Sequence, residues 1–151
     1  MDAVERLQSM LDESQDRDNP GPEALRTIME SVRTVAVVGI SRNPEKAARR
    51  IPAYLAANGY DVIPVNPFVD EVLGKKVRPT LADVTEPVDM VLVFRPSQEA
   101  ATVVEAAMQR QEKPVIWLQE GIQADEAAAR ARAQGFSVVQ DLCAYKVHKA
   151  L

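Results

Sequence analysis

The sequence predicts an α/β protein built on a doubly wound, mainly parallel sheet with helices on both faces. Three observations predict it. Five apolar runs of strand length follow Thr34, at residues 34–40, 60–65, 89–94, 114–118 and 136–140. Each run is nearly continuous rather than alternating, as in parallel strands covered on both sides. Helical segments near 48–58, 98–110 and 124–134 lie between them, and such alternation winds right-handed crossovers around one sheet.

Taken in order, the chain begins with an amphipathic helix over 3–13, where Val4, Leu7, Met10 and Leu11 recur at helical spacing. Asp12 to Pro22 is polar and turn-rich and reads as a linker. A second short helix over 22–30 puts Leu25, Ile28 and Met29 on one face. These apolar faces can rest on the outside of the domain or on a second copy of the chain, so a homodimer is one expectation. Gly59 and Gly135 stand where helix C-terminal caps fall. Residues 66–88 break the alternation with turn residues, a brief extended piece at Lys76–Arg78 and a helical turn near Leu81. With that piece as a short edge strand, the sheet order is 3-2-1-4-5-6. Ligands in such sheets bind outside the carboxyl ends of the strands at the topological switch, here between strands 1 and 4.

The 151 residues suffice for one ordinary soluble domain, at 46% hydrophobic and 26% charged. The longest stretch without a charge, Ile51 to Tyr60, is ten residues and too short to span a membrane. The first residues show no basic patch followed by an apolar core, so a cytoplasmic protein with no membrane partner is expected. One cysteine, Cys143, and one histidine argue against a disulfide framework and a structural metal site. Residues 1–32 carry eight acids against three arginines, whereas 33–151 carry 14 acids and 15 bases. The chain therefore divides into an acidic N-terminal helical segment, 1–32, and an α/β domain, 33–151. No dense basic face points to nucleic acid, but a local cluster could hold an anionic small molecule.

Candidate binding residues follow the strand ends. Strand 1 runs into Gly39, Ile40, Ser41, Arg42, Asn43, Pro44, Glu45 and Lys46. A strand, a glycine turn and a helix form a phosphate-binding arrangement, since exposed amides and the helix dipole favour an anion. With a helix start near Ala48, Pro52 falls in the first turn, where its missing N–H costs nothing. The loop lacks two glycines of the dinucleotide fingerprint, and strand 2 ends in Asn66–Pro67 with no acid for a ribose diol. Gly74, Lys75 and Lys76 could reach an outlying phosphate or form a solvated turn. Phe94, Arg95 and Pro96 follow strand 4, and Gln119, Glu120 and Gly121 follow strand 5. Glu120 has no nucleophile placed with it in sequence. Cys143 and His148, five apart, do not share a helical face, so no catalytic residue is assigned.

In order and spacing, VAVVGISRNPEK, GYDVIPVNP, LGKKVRPTLADV, PVDMVLVFRP, PVIWLQEGI and the late DLC-x-x-x-x-H segment resemble the small CoA-binding-domain proteins. These are relatives of the Rossmann-like N-terminal domain of the succinyl-CoA synthetase alpha subunit. The likeness covers about 33–149 and departs from the family pattern at Arg49 and Pro52. It implies a Rossmann-like fold holding coenzyme A, or an acyl-CoA, across the switch point. Gly39, Ser41, Arg42 and Lys46 would then lie near the pyrophosphate, with Ile40 and Asn43 in the same loop. Asn66 and Pro67 would line the adenosine side, with Lys75 or Lys76 near the 3′-phosphate. Phe94, Arg95 and Pro96 would face the pantetheine, and Gln119, Glu120 and Gly121 would form the far rim. The chain shows no phosphohistidine domain, so acyl-CoA synthesis by it alone is not expected. A non-catalytic sensing, carrying or regulatory module leads, with its protein partner unknown. An NAD(P)- or other nucleotide-binding enzyme and an interaction protein with a vestigial pocket stand as alternatives.

Overall fold

A computed structural model describes residues 1–151. In chain order the elements are α1 (Ala3–Glu13), α2 (Pro22–Ser31), β1 (Thr34–Val38), α3 (Ala47–Ala57), β2 (Asp61–Val65), β3 (Glu71–Val72) and β4 (Lys75–Lys76). They continue with β5 (Met90–Val93), α4 (Ser97–Met108), β6 (Val115–Leu118), α5 (Asp125–Ala133), β7 (Val138–Val139) and α6 (Ala144–Ala150). All five long apolar runs become parallel strands of one sheet, ordered β2-β1-β5-β6-β7. The architecture is the expected Rossmann-like α/β fold, with the switch between β1 and β5.

Because successive strand residues face opposite ways, each strand serves two cores. Val35, Val37, Val62, Met90, Leu92 and Trp117 pack beneath α1, α2, α3 and α6. Ala36, Ile63, Val91, Val93, Ile116 and Leu118 pack beneath α4 and α5. The apolar faces of the two N-terminal helices are buried in the first of these cores: Leu7 and Leu25 are wholly covered within the chain itself. No helix is long and apolar enough to cross a membrane.

Two local expectations need correction. The extended piece at Lys76–Arg78 does not form a sixth sheet strand. Lys75–Lys76 instead folds back antiparallel onto Glu71–Val72, reversed through left-handed Leu73 and Gly74 at φ 56° and 71°. Only Arg78 reaches the sheet edge, in a single parallel bridge to Val65. Pro79 follows with no amide to extend the ladder.

The segment after α1 is not a solvated linker either. Ser14 and Asp16 are 2% and 8% exposed. Asn19 pairs with both backbone groups of Gln140, accepting from its N–H at 2.8 Å and donating to its carbonyl at 2.9 Å. It thus continues the edge of the sheet with a side-chain amide. Asp16 Oδ2 accepts from Arg132 at 2.9 Å and from the Gln140 side chain at 3.0 Å. Ser14, Asp16 and Asn19 each find a partner inside, which ties the segment to the sheet edge.

Burial pushes the Asp16 carboxyl upward, yet the bonds from Arg132, Gln140 and the Asp18 amide outweigh it and hold it below its ordinary range. A carboxylate depressed in the folded state stabilises the fold above its unfolded value, and the contribution is lost as pH falls through the folded value. Asp16→Asn is expected to cost about 2–4 kcal/mol at neutral pH. It should also flatten the loss of stability below ~pH 4, measured by urea unfolding across pH. Parallel pH profiles for the two proteins would remove Asp16 from the acid-sensitive part of stability.

Candidate functional site

The carboxyl ends of β2, β1 and β5 lie level, with Val38 in register beside Val65 and Val93. Gly39 follows at φ +89°, and its amide donates to Val65 O at 3.0 Å. A Cβ on Gly39 would stand 2.8 Å from both the Phe94 carbonyl oxygen and Arg95 Cδ. Glycine is therefore required by its conformation and by the close approach of the next strand's exit. Asn66 completes the junction: its Nδ2 donates to Ile40 O and its Oδ1 accepts from the Phe68 amide, each at 2.8 Å.

The loop beyond Gly39 is shaped by its own polar side chains. Ser41 Oγ accepts from the Asn43 amide at 3.0 Å, and Asn43 Oδ1 accepts from the Glu45 amide at 2.9 Å. The Arg42 and Lys46 side chains, by contrast, make no hydrogen bond or ion pair with the protein and line the cleft. The backbone N–H groups of Ile40, Arg42, Ala47 and Ala48 find no protein acceptor. Those of Ala47 and Ala48 form the positive end of α3. Two side-chain cations and four free amides therefore lie within one short loop and helix start.

Pro52 corrects another expectation. Helix α3 begins at Ala47, so Pro52 lies in its second turn rather than its first. Its missing N–H releases the Ala48 carbonyl, which accepts from the Ser41 amide at 3.1 Å. The proline thus supplies an anchor that folds the loop back onto the helix start.

The cleft around this loop has a volume of about 580 Å³ and opens on either side into a further hollow. The near hollow, about 490 Å³, shares Gly39, Asn66 and Arg95 with it and is walled by Pro67, Phe68 and Leu81. Phe68 is 85% exposed there. The far hollow, about 750 Å³, shares Ala48 and Phe94 with the cleft and reaches Gln119, Glu120 and Cys143. Together they form a trough across the carboxyl edge of the sheet, polar in the middle and more apolar at both ends.

Most of the residues predicted from sequence meet in this trough: Gly39, Ile40, Ser41, Arg42, Asn43 and Lys46, with Asn66, Pro67, Phe94 and Arg95. Gln119 and Glu120 line its far end, and Glu120 pairs with Lys146 at 3.0 Å, which raises the lysine's pKa. Arg95 is tied to Glu99. Pro96 caps α4 instead, and the Gly121 amide is taken by Asp141 Oδ1 at 2.6 Å.

The two lysines are not brought here. Lys75 Nζ bonds Asp61 Oδ1 at 2.9 Å and Val62 O at 2.7 Å, at the opposite end of β2. Lys76 pairs in the same hairpin with Glu71. The chain reversal at Leu73–Gly74 turns Lys75 back toward the amino end of β2, and sequence charge alone could not show that reversal. Sequence reasoning also passed over Phe68, although an aromatic residue directly after the Asn66–Pro67 turn was a readable signal. Cys143 lines the far hollow, whereas His148 turns away and shares a 2.7 Å bond with the Tyr54 hydroxyl.

Comparison with known proteins agrees with this geometry. A family model described as CoA binding domain matches residues 33–149. The chain belongs to the CoA-binding domain family. It is 34% identical over 130 residues to YneT of Bacillus subtilis, covering 86% of this chain and 96% of that protein. An ADP-forming acetate–CoA ligase of Archaeoglobus fulgidus is 31% identical over 91 residues, which are 59% of this chain but 14% of the ligase. Among solved structures, a protein from Pyrococcus horikoshii is similar with a TM-score of 0.85 at 33% identity, over 92% of this chain and 97% of that one. Another, from Thermus thermophilus, reaches 0.78 at 35% identity over 84% and 96%.

Two substitutions probe how this CoA-binding domain builds the trough. Gly39→Ala is expected to destabilise it by about 2–4 kcal/mol in denaturant titration, from left-handed strain plus overpacking. Native stability in that variant would mean the strand exits can separate freely. Pro52→Ala restores an N–H that competes for the Ala48 carbonyl, so hydrogen exchange at the Ser41 amide should speed up while the fold persists. Unchanged Ser41 protection would show that the carbonyl serves the loop regardless of the helix.

Proposed function

We propose that this domain binds coenzyme A or an acyl-CoA in the trough as a non-catalytic module. One observation carries the reading: free amides at the start of α3 stand beside two cations, Arg42 and Lys46, that have no protein partner. Helix N-termini of this kind accept phosphate readily, and each charge-assisted bond contributes about 1.5–3 kcal/mol. In this reading the pyrophosphate sits at the loop, the adenine packs against Phe68 and Pro67, and the pantetheine passes Phe94 into the far hollow. No lysine of the β3–β4 hairpin takes part.

A nicotinamide dinucleotide is less well served. Strand β2 ends without a carboxylate, and Asn66, the side chain in its place, already spends both ends of its amide on Ile40 and Phe68. The non-catalytic assignment draws on the same kind of accounting. Glu120 is paired with Lys146, and His148 is held by Tyr54 in an aromatic cluster with Tyr145. Cys143 shares the far hollow with Glu120, but its thiol is buried and the carboxylate is spent on its ion pair.

Calorimetric titration with CoA, NAD and ATP in parallel tests the proposal. The expected result is binding of CoA in preference to the other two, weakening as salt rises. Arg42→Ala with Lys46→Ala is expected to reduce CoA affinity about 10- to 100-fold with an unchanged circular dichroism spectrum. Undiminished affinity in the double variant would remove the loop from the site. No binding to any of the three would leave the fold with an empty ancestral pocket.

A further inference from the structure

The far hollow contains a side chain that the coenzyme's phosphates do not explain. Gln119 is only 6% exposed, and its Oε1 accepts from the Ala144 amide at 3.1 Å. That bond fixes which way the side-chain amide points. Its Nε2 then donates to nothing in the protein, although no fully buried side-chain nitrogen or oxygen in the molecule lacks a partner. The Nε2 group is therefore the part of Gln119 that reaches the hollow which the residue lines. A donor so placed, at the open tip of a side chain nine-tenths buried and pinned by its own acceptor bond, can meet a carbonyl oxygen.

Around it the lining is largely uncharged: Ile51, Tyr54, Phe94, Ile122, Cys143 and Tyr145. At the rim stand the Glu120–Lys146 pair and Arg50, which donates to the Glu45 carbonyl. Between them the surface is mainly apolar, with Gln119 Nε2 as a pinned donor. It fits an acyl group whose carbonyl meets Gln119.

We infer that the far hollow is an acyl pocket, and that the preferred ligand is an acyl-CoA thioester with its carbonyl bound by Gln119 Nε2. The inference rests on the CoA reading of the trough and adds to it the class of thioester carried. Without this pocket, an acyl chain at the end of the pantetheine would be exposed to water, and affinity would not depend on its length.

Titration with CoA, acetyl-CoA, butyryl-CoA and hexanoyl-CoA decides it. Affinity is expected to rise from CoA through the acyl series by about two- to fourfold per buried methylene. Gln119→Glu keeps an acceptor for the Ala144 amide but removes the donor. It should lower the ratio of acyl-CoA to CoA affinity by about tenfold. Ile122→Trp, which narrows the hollow, should flatten the chain-length dependence measured as that same ratio. Equal affinity for CoA and its thioesters would overturn the inference while leaving the CoA reading intact. So would equal losses of CoA and acyl-CoA in Gln119→Glu, because the donor would then serve a pantetheine amide. Binding of none of the four ligands would instead sink the CoA reading itself.

Discussion

The site depends on a contact that only glycine permits. Gly39 lets the exit of β1 touch the exit of β5, with the Phe94 carbonyl where a methyl group would otherwise stand. The central strand can then remain in parallel register with a neighbour on each side. Past this point the chain diverges, since β1 leads to α3 on one face and β5 leads to α4 on the other. The trough is the gap left by that divergence. Its floor is therefore made of strand ends that cannot shift independently, and its walls are the starts of two helices.

Within the trough, the side chains that shape the loops are distinct from the groups left free. Asn66, Asn43 and the Ser41 hydroxyl have the chemistry of ligand contacts, but their hydrogen bonds shape the loops. Pro52 works in the same way from a distance, by releasing a helix carbonyl for the Ser41 amide. The groups left over are backbone amides, Arg42 and Lys46 in the centre and Gln119 Nε2 at the far end. A loop held by its own bonds presents these donors without having to order itself when an anion arrives, which lowers the entropic cost of binding.

The sheet was legible because burial on both faces imposes near-continuous apolar runs, and TVAVV, DVIPV, MVLV and VIWL all appear as strands. The helices that cover it were legible within a residue or two at most ends, because their apolar spacing and the glycines after α3 and α5 are local signals. The candidate loop was legible from its position after β1, and Gly39, Arg42 and Lys46 do line one cleft. What escaped were decisions made by tertiary contacts. Lys75 looks like any loop lysine until the β3–β4 hairpin turns it toward Asp61. Asp16 and Asn19 look solvated until Arg132 and Gln140, far along the chain, come to meet them. Helix α6 lacks a long apolar stripe, and it forms because Ala144, Val147 and Ala150 find a core already waiting.

That last packing joins segments far apart in sequence. Arg6 donates to the Ala150 carbonyl across 144 positions of sequence, at 3.0 Å from Nε and 2.7 Å from Nη2. Asn19 pairs with Gln140 across 121. During synthesis α1 therefore emerges from the ribosome long before α6, and until then α2 is its only nearby helix. Vectorial folding can assemble the β1–β2–β5 centre early, but the half of the molecule containing α1 must wait for α6 to close over it.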